Sequence, residues 1–278
     1  MLFATFLAVP FTAIGRAFTD LRFLGAVLVV NFLIVPVVVF GLSRVVAGHQ
    51  ALLLGVLLVL LTPCVDYVIV FSGLAGGAAD RLLAAAPVLM LAQMLLLPGY
   101  PWAFVGAETV ARVEIAPFVE AFLFLIVLPL AAAAAVQWAA PQAVAARRIT
   151  AAMSAGMVPL MMATLVIVIA SQIRGVGEEL TTLITVVPLY VAFLVLMVPI
   201  GLVAARVARL DMPATRALVF SAATRNSLVV LPLALPASLA LTPLVVVTQT
   251  LVELVGMVIF VRLIPRLVPR RPEALNPP

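Results

Sequence analysis

The sequence predicts an all-α, polytopic membrane protein built from inverted repeats, with two crossed discontinuous helices at its centre. Three observations lead there. The chain is 66% hydrophobic and only 10% charged, where a soluble domain carries about 25% charged residues. Its apolar stretches run to about 20 residues, the length of a membrane-crossing helix and twice that of a barrel strand. Finally, two of these stretches combine prolines with an ionisable side chain at membrane depth, the pattern of a broken helix beside a transport site.

In chain order, nine spans are expected, at residues 2–15, 23–43, 51–77, 82–104, 118–139, 150–172, 182–205, 216–238 and 242–264. Proline landmarks pair the halves. AVPFTAI at Pro10 is matched by MVPLMMA at Pro159, VPVVVFGL at Pro36 by VPIGLVAA at Pro199, and the Pro87–Gln93 spacing by Pro243–Gln249. Matched spans lie five helices apart, so the two halves must run in opposite directions. Residues 1–278 then form a single transporter domain, with a four-helix first repeat at 2–104, a five-helix second repeat at 118–264 and an Arg/Pro-rich tail at 265–278. The first repeat is one helix short, so either a leading helix upstream of Met1 or a nine-helix variant with an open flank is expected.

All 16 basic residues are arginine. Twelve fall on one side of the expected topology: Arg16, Arg22, Arg81, Arg147, Arg148, Arg206, Arg209, Arg216, Arg262, Arg266, Arg270 and Arg271. Three (Arg44, Arg112 and Arg174) fall on the other, and Arg225 lies within a span. The positive-inside rule makes the richer side cytoplasmic and leaves the C-terminus inside a cytoplasmic membrane. The net charge of +5 follows from these loops and points to no nucleic acid. One cysteine excludes a disulfide framework and a multi-cysteine metal site, and the N-terminus has no basic region of a signal peptide. No HExxH, phosphate-binding loop or Ser–His pair at membrane depth is present, so neither an enzyme nor a cofactor is expected.

The candidate site residues cluster at the two breaks. Within LLTPCVDYVIVFSGLAGG, Thr62 suits a helix N-cap and Pro63 the first helical position. Cys64 is either a soft ligand or a small buried hydrophobe. Asp66, near the start of the second half-helix, is a proton carrier or the counter-ion of Arg225. Arg225 lies nine residues from Arg216, roughly 13 Å along a helix, so it needs a partner or a water-filled cavity. Asn226 and Ser227 complete the most polar intramembrane cluster, and Pro232 should break the helix after it. Glu253 sits mid-span in the last helix, facing the bundle interior. Gln249, Gln93 and Asn31 serve either the site or interhelical packing.

CVDYVIVFSGLAGG resembles the fourth-helix motif of the arsenical-resistance (arsenite efflux) permeases, through Cys64, Phe71, Leu74, Ala75 and Gly77. LVELVG, with Glu253, resembles that family's last-helix segment, and FSAATRNSLVV its ninth-helix Ala-Ser-Asn-Asn segment. The same superfamily contains the bile acid:sodium symporters. Departures stand at Pro63 for an Arg, Phe71-Ser72 for Trp-Asn, Arg225 for Asn and Leu228 for Glu. In the bile-acid branch, Gln-Asn stands in place of Arg225-Asn226 and a sodium-binding Glu in place of Ser221. The resemblance implies a secondary transporter that exports arsenite, or antimonite, by proton antiport. Cys64 would be the tentative arsenite ligand, Arg225, Asn226, Ser227 and Glu253 would line the substrate site, and Asp66 or Glu253 would couple the ion. The alternative is a transporter of a small organic anion, sodium-coupled or uncoupled. The fixed charge of Arg225 favours a proton over sodium, because it repels a cation a few ångströms away by about 4 kcal/mol at an effective dielectric near 20.

Overall fold

The computed structural model describes residues 19–65, 67–96, 99–105, 120, 123–140, 142–153, 179–227, 230 and 241–269, with isolated positions at 3, 7 and within 155–170. Among these residues all regular structure is helical, apart from one isolated antiparallel bridge. Four helices are long and apolar enough to cross a membrane: Leu21–Val46, Ala79–Leu96, Thr181–Val207 and Leu241–Leu267. The expected spans at 2–15 and 150–172 lie mostly outside the described residues, as do Asp66 and Pro232.

Helix α1, Leu21–Val46, starts where the Asp20 side chain accepts from the Phe23 N–H at 3.0 Å, satisfying one orphan donor of the first turn. Its middle widens into a π-turn at Val30–Ile34, a feature that the sequence reading did not anticipate. Pro36 explains part of it. Proline has no N–H to return to the carbonyl of Phe32, and that carbonyl instead accepts from the Tyr100 hydroxyl at 3.2 Å. Helix α2, Gln50–Leu60, and helix α3, Tyr67–Leu74, divide the expected third span. They are followed by α4, Ala79–Leu96, α5, Gly99–Val105, and α6, Leu128–Ala139, which continues a π-turn at Leu123–Val127.

Helix α7, Val187–Val207, packs along α8, Met212–Ala223. The last helix, α9, Leu241–Leu267, packs against both α7 and α2. These approaches are close because small residues sit at the contacts. A Cβ on Gly55 would lie 2.8 Å from the Val245 side chain and 3.1 Å from the Thr242 carbonyl. A Cβ on Gly201 would lie 3.1 Å from the Val219 Cα. Lipid gives no hydrophobic drive for helices to associate, so close backbone packing must supply it.

Helix α8 is buried all round: Ala217 to Ala223 have no exposed surface. A helix without a solvent or lipid face lies inside the bundle, and its C-terminal end carries the polar cluster. Residues on the outer helices behave oppositely, with Leu33, Val37, Val195 and Val255 more than half exposed, as lipid-facing positions should be.

Candidate functional site: a polar crossing of two interrupted helices

Helix α2 ends at Leu60 and α3 begins at Tyr67; α8 ends at Ala223. Both breaks begin alike. The Thr62 hydroxyl donates to the Leu58 carbonyl at 2.8 Å, and the Thr224 hydroxyl to the Phe220 carbonyl at 2.8 Å. Each threonine thus bonds back into the turn before it; at Thr62 the backbone N–H shifts to the Val59 carbonyl at 3.4 Å, while at Thr224 it keeps the Phe220 carbonyl at 3.0 Å. The expected N-cap role of Thr62 is therefore incorrect, and so is the place of Pro63 at the first helical position, because Cys64 and Val65, which follow it, are not helical.

The two breaks face each other. The Cys64 N–H donates to the Thr224 carbonyl at 3.3 Å, and the Asn226 N–H to the Thr62 carbonyl at 2.8 Å. This reciprocal pair makes an antiparallel bridge with Pro63 opposite Arg225. The bridge is physically required. Each interrupted helix leaves backbone groups without intrahelical partners, and inside a bilayer an unpaired group costs several kcal/mol. Residues 63 and 225 point their own backbone groups outward from the bridge. Proline has no N–H to satisfy there, so Pro63 removes one orphan donor.

On the other side, the Arg225 backbone is held by side chains. Its N–H donates to Glu253 Oε2 at 2.9 Å, and its carbonyl oxygen lies 2.6 Å from the Tyr67 hydroxyl. That hydroxyl is also 2.5 Å from Glu253 Oε1. The Gln249 side-chain amide donates to Glu253 Oε2 as well. Proton counting assigns these contacts. A phenol has one proton, and a carbonyl only accepts. Both contacts of Tyr67 are satisfied when it donates to the Arg225 carbonyl and accepts from a proton on Glu253 Oε1. Glu253, 1% exposed, thereby ties the first break, through Tyr67, to the second, through the Arg225 N–H.

The Arg225 guanidinium points elsewhere. The two N–H groups of Nη2 are shared among three acceptors: Asn31 Oδ1 at 3.0 Å, the Ser221 carbonyl at 2.9 Å and the Ala222 carbonyl at 2.6 Å. Nη1 donates to the Leu60 carbonyl at 3.4 Å. The Phe193 ring lies 5.3 Å from the guanidinium carbon, within reach of a cation–π contact. Asn31 sits in the π-turn of α1 and also donates to Ser221 Oγ at 3.0 Å. Among the described residues Arg225 makes no ion pair; the expected partner, Asp66, lies outside them.

The structure thus gathers Thr62, Pro63, Cys64, Arg225, Asn226 and Glu253 at one crossing. Cys64 is buried there. Ser227 is also buried, and its hydroxyl makes no hydrogen bond among the described residues. The second break starts at residues 224–226, before the expected proline, and Pro232 lies outside the described residues. Gln93 is buried on α4 but is not a partner of Arg225 or Glu253. Sequence reasoning missed Tyr67. A signal was available: a tyrosine three residues past the break, far from an interfacial belt, needs a partner for its hydroxyl. An apolar cleft of about 550 Å³ between α1 and α7 is lined only by Gly, Ala, Val, Ile and Pro, and is separate from this cluster.

Four helices long and apolar enough to cross a membrane, around a buried polar cluster, mark a multi-pass membrane protein. The family model for the sodium bile acid symporter family matches residues 1–179, and the chain belongs to that family. The match contains the first break and Cys64 and stops before the second. No curated protein matches the chain. Members of this family move small solutes across membranes and are not enzymes.

Proposed function

We propose that this protein exports arsenite, with antimonite as a chemically similar second cargo, in exchange for protons. The observation that supports this reading best is the joining of Cys64 and Glu253 at one buried crossing. Trivalent arsenic is thiophilic, and a soft thiolate selects it. A single thiol helped by oxygen ligands binds it weakly enough for release. Arsenite is a neutral hydroxide at physiological pH, which suits a crossing whose guanidinium is already engaged by oxygens. Glu253 carries the exchanged proton, with Asp66 as a second carrier, and Asn226 and Ser227 contact the cargo. The reciprocal bridge between the two breaks supports inverted repeats of opposite direction, and the arginine distribution supports a cytoplasmic membrane with the C-terminus inside.

The test is arsenite protection in a sensitive host. Cys64→Ser and Cys64→Ala should both abolish it at unchanged protein level, since neither supplies a thiolate. Full protection by both variants would refute the ligand role.

A second reading has one observation in its favour, the family match itself. In it the cargo is a small organic anion, sodium-coupled or uncoupled, attracted by Arg225. The burial of that guanidinium among protein oxygens weighs against its serving as the carboxylate receptor. Competition between arsenite and organic anions for flux in proteoliposomes separates the two.

A further inference from the structure

We propose that the Arg225 guanidinium is a resident, tethered cation occupying an oxygen cage, and that removing it opens a binding site for a free monovalent cation or for guanidinium itself. The cage is formed by Asn31 Oδ1 and the carbonyls of Ser221, Ala222 and Leu60, at 3.0, 2.9, 2.6 and 3.4 Å from the guanidinium nitrogens. Three of these oxygens are backbone carbonyls beside the two breaks, where interrupted helices expose carbonyl groups. Oxygens from three separate elements converge on one point: α1, the end of α2 and the last turn of α8. Such a ring of carbonyl dipoles is what replaces a hydration shell around a monovalent cation in membrane proteins. Arg225 is fully buried, and its guanidinium remains charged under ordinary conditions.

Asn31 is not placed there by chance of rotamer. It projects from the π-turn, its amide donates to the Val27 carbonyl at 3.0 Å and to Ser221 Oγ at 3.0 Å, and that orientation leaves its oxygen for the cation. The Phe193 face closes one side at 5.3 Å. A tethered cation cannot dissociate, so this position holds α1, α2 and α8 together without any ion from solution. The inference holds whichever solute is carried, and its test reads stability rather than transport.

The experiment is thermal unfolding of the purified full chain in detergent, in choline chloride with added sodium chloride, potassium chloride or low-millimolar guanidinium chloride. The unmutated protein should be indifferent to all three. Arg225→Ala should melt several degrees lower in choline and be restored, saturably, by guanidinium or an alkali cation. Adding Asn31→Leu should remove that restoration. Arg225→Met, of similar length but uncharged, should behave like Arg225→Ala, whereas Arg225→Lys should stay close to the unmutated protein without added cation. If Arg225→Ala or Arg225→Met is as stable as the unmutated chain in choline, or is destabilised with no saturable response to any of the three cations, the proposal is overturned. Should neither charge-free variant be recoverable, purification of Arg225→Lys alone supports a resident cation, and its failure alongside them refutes one.

Discussion

At the scale of single residues, Glu253 and Tyr67 carry the sharpest consequence. Glu253 Oε2 accepts from two N–H donors, and Oε1 meets a hydroxyl committed to the Arg225 carbonyl. A glutamine at 253 can reproduce this pattern, its oxygen facing the N–H donors and its amide donating to Tyr67. Glu253→Gln should therefore fold with a loss of at most about 1 kcal/mol, while Glu253→Ala leaves buried donors unsatisfied and should lose about 3 kcal/mol. Solute flux through Glu253→Gln should no longer follow a pH gradient. Infrared spectroscopy gives a direct check: the carbonyl band of a protonated carboxyl should be present at neutral pH and absent from Glu253→Gln. A spectrum without that band would show the carboxylate ionised and the proton assignment wrong.

Much of the site was legible at this scale, for one physical reason. An ionisable or strongly polar side chain in an apolar span is costly enough to require a partner, so Arg225, Glu253 and Asn226 announce themselves. What they bond to was not legible. Arg225 was expected to need a partner or a water-filled cavity, with Asp66 as one candidate that lies outside the described residues; the described partners are backbone carbonyls and Asn31. Backbone carbonyls have no sequence signature, and whether they are free depends on where helices stop. Tyr67 was missed because tyrosine belongs to core, interface and site alike.

At the scale of elements, the break in residues 60–77 could be read from Thr62-Pro63, but not how it is made. Proline suggested the start of a half-helix; in the structure it lies between helices, and the threonines at 62 and 224 bond back into the turns that precede them. The π-turn at Val30–Ile34 escaped notice because Pro36 alone does not distinguish a kink from a widened turn. The packing of α2 against α9 yields a prediction of its own. Gly55 has no room for a side chain, since even a Cβ would meet Val245 at 2.8 Å. Gly55→Leu must push α9 away and with it Glu253, which α9 carries to the crossing. The variant should lose pH-driven flux and about 1–3 kcal/mol of stability, although it touches neither break. Thermal unfolding and proteoliposome flux measured together test it; a variant with unmutated stability and flux would mean the two helices have slack.

At the scale of the whole molecule, two arginines fasten one end of the bundle, and their unequal weights can be argued from solvation. Arg81 on α4 pairs with Asp20 before α1 at 3.0 Å and with Asp211 before α8 at 2.7 Å, but all three side chains are about a third to a half exposed. Ion pairs in contact with water contribute little, about 0–1 kcal/mol each. Arg216 is only 5% exposed and joins three elements. Its Nη1 donates to the Ala75 carbonyl at 2.7 Å, and its Nε and Nη2 donate to the Val268 carbonyl at 3.0 and 2.7 Å. Those carbonyls close α3 and follow α9, where positive charge complements the helix ends. Gly76 adopts a left-handed turn at φ +69°, and a Cβ there would lie 2.7 Å from Arg216 Nη1, so the turn and the guanidinium are fitted to each other. Losing Arg216 leaves the buried Ala75 carbonyl and the partly buried Val268 carbonyl without these bonds, each charge-assisted bond being worth about 1.5–3 kcal/mol when buried and less where water reaches it. Arg216→Ala should therefore lower the melting temperature several times more than Arg81→Ala, whose ion pairs are open to water. Raising salt from low to high should remove only a small contribution from the Arg81 pairs, because exposed pairs are worth little and are screened. Equal shifts for the two variants would mean that the exposed pairs of Arg81 hold this end closed as firmly as the bonds of Arg216.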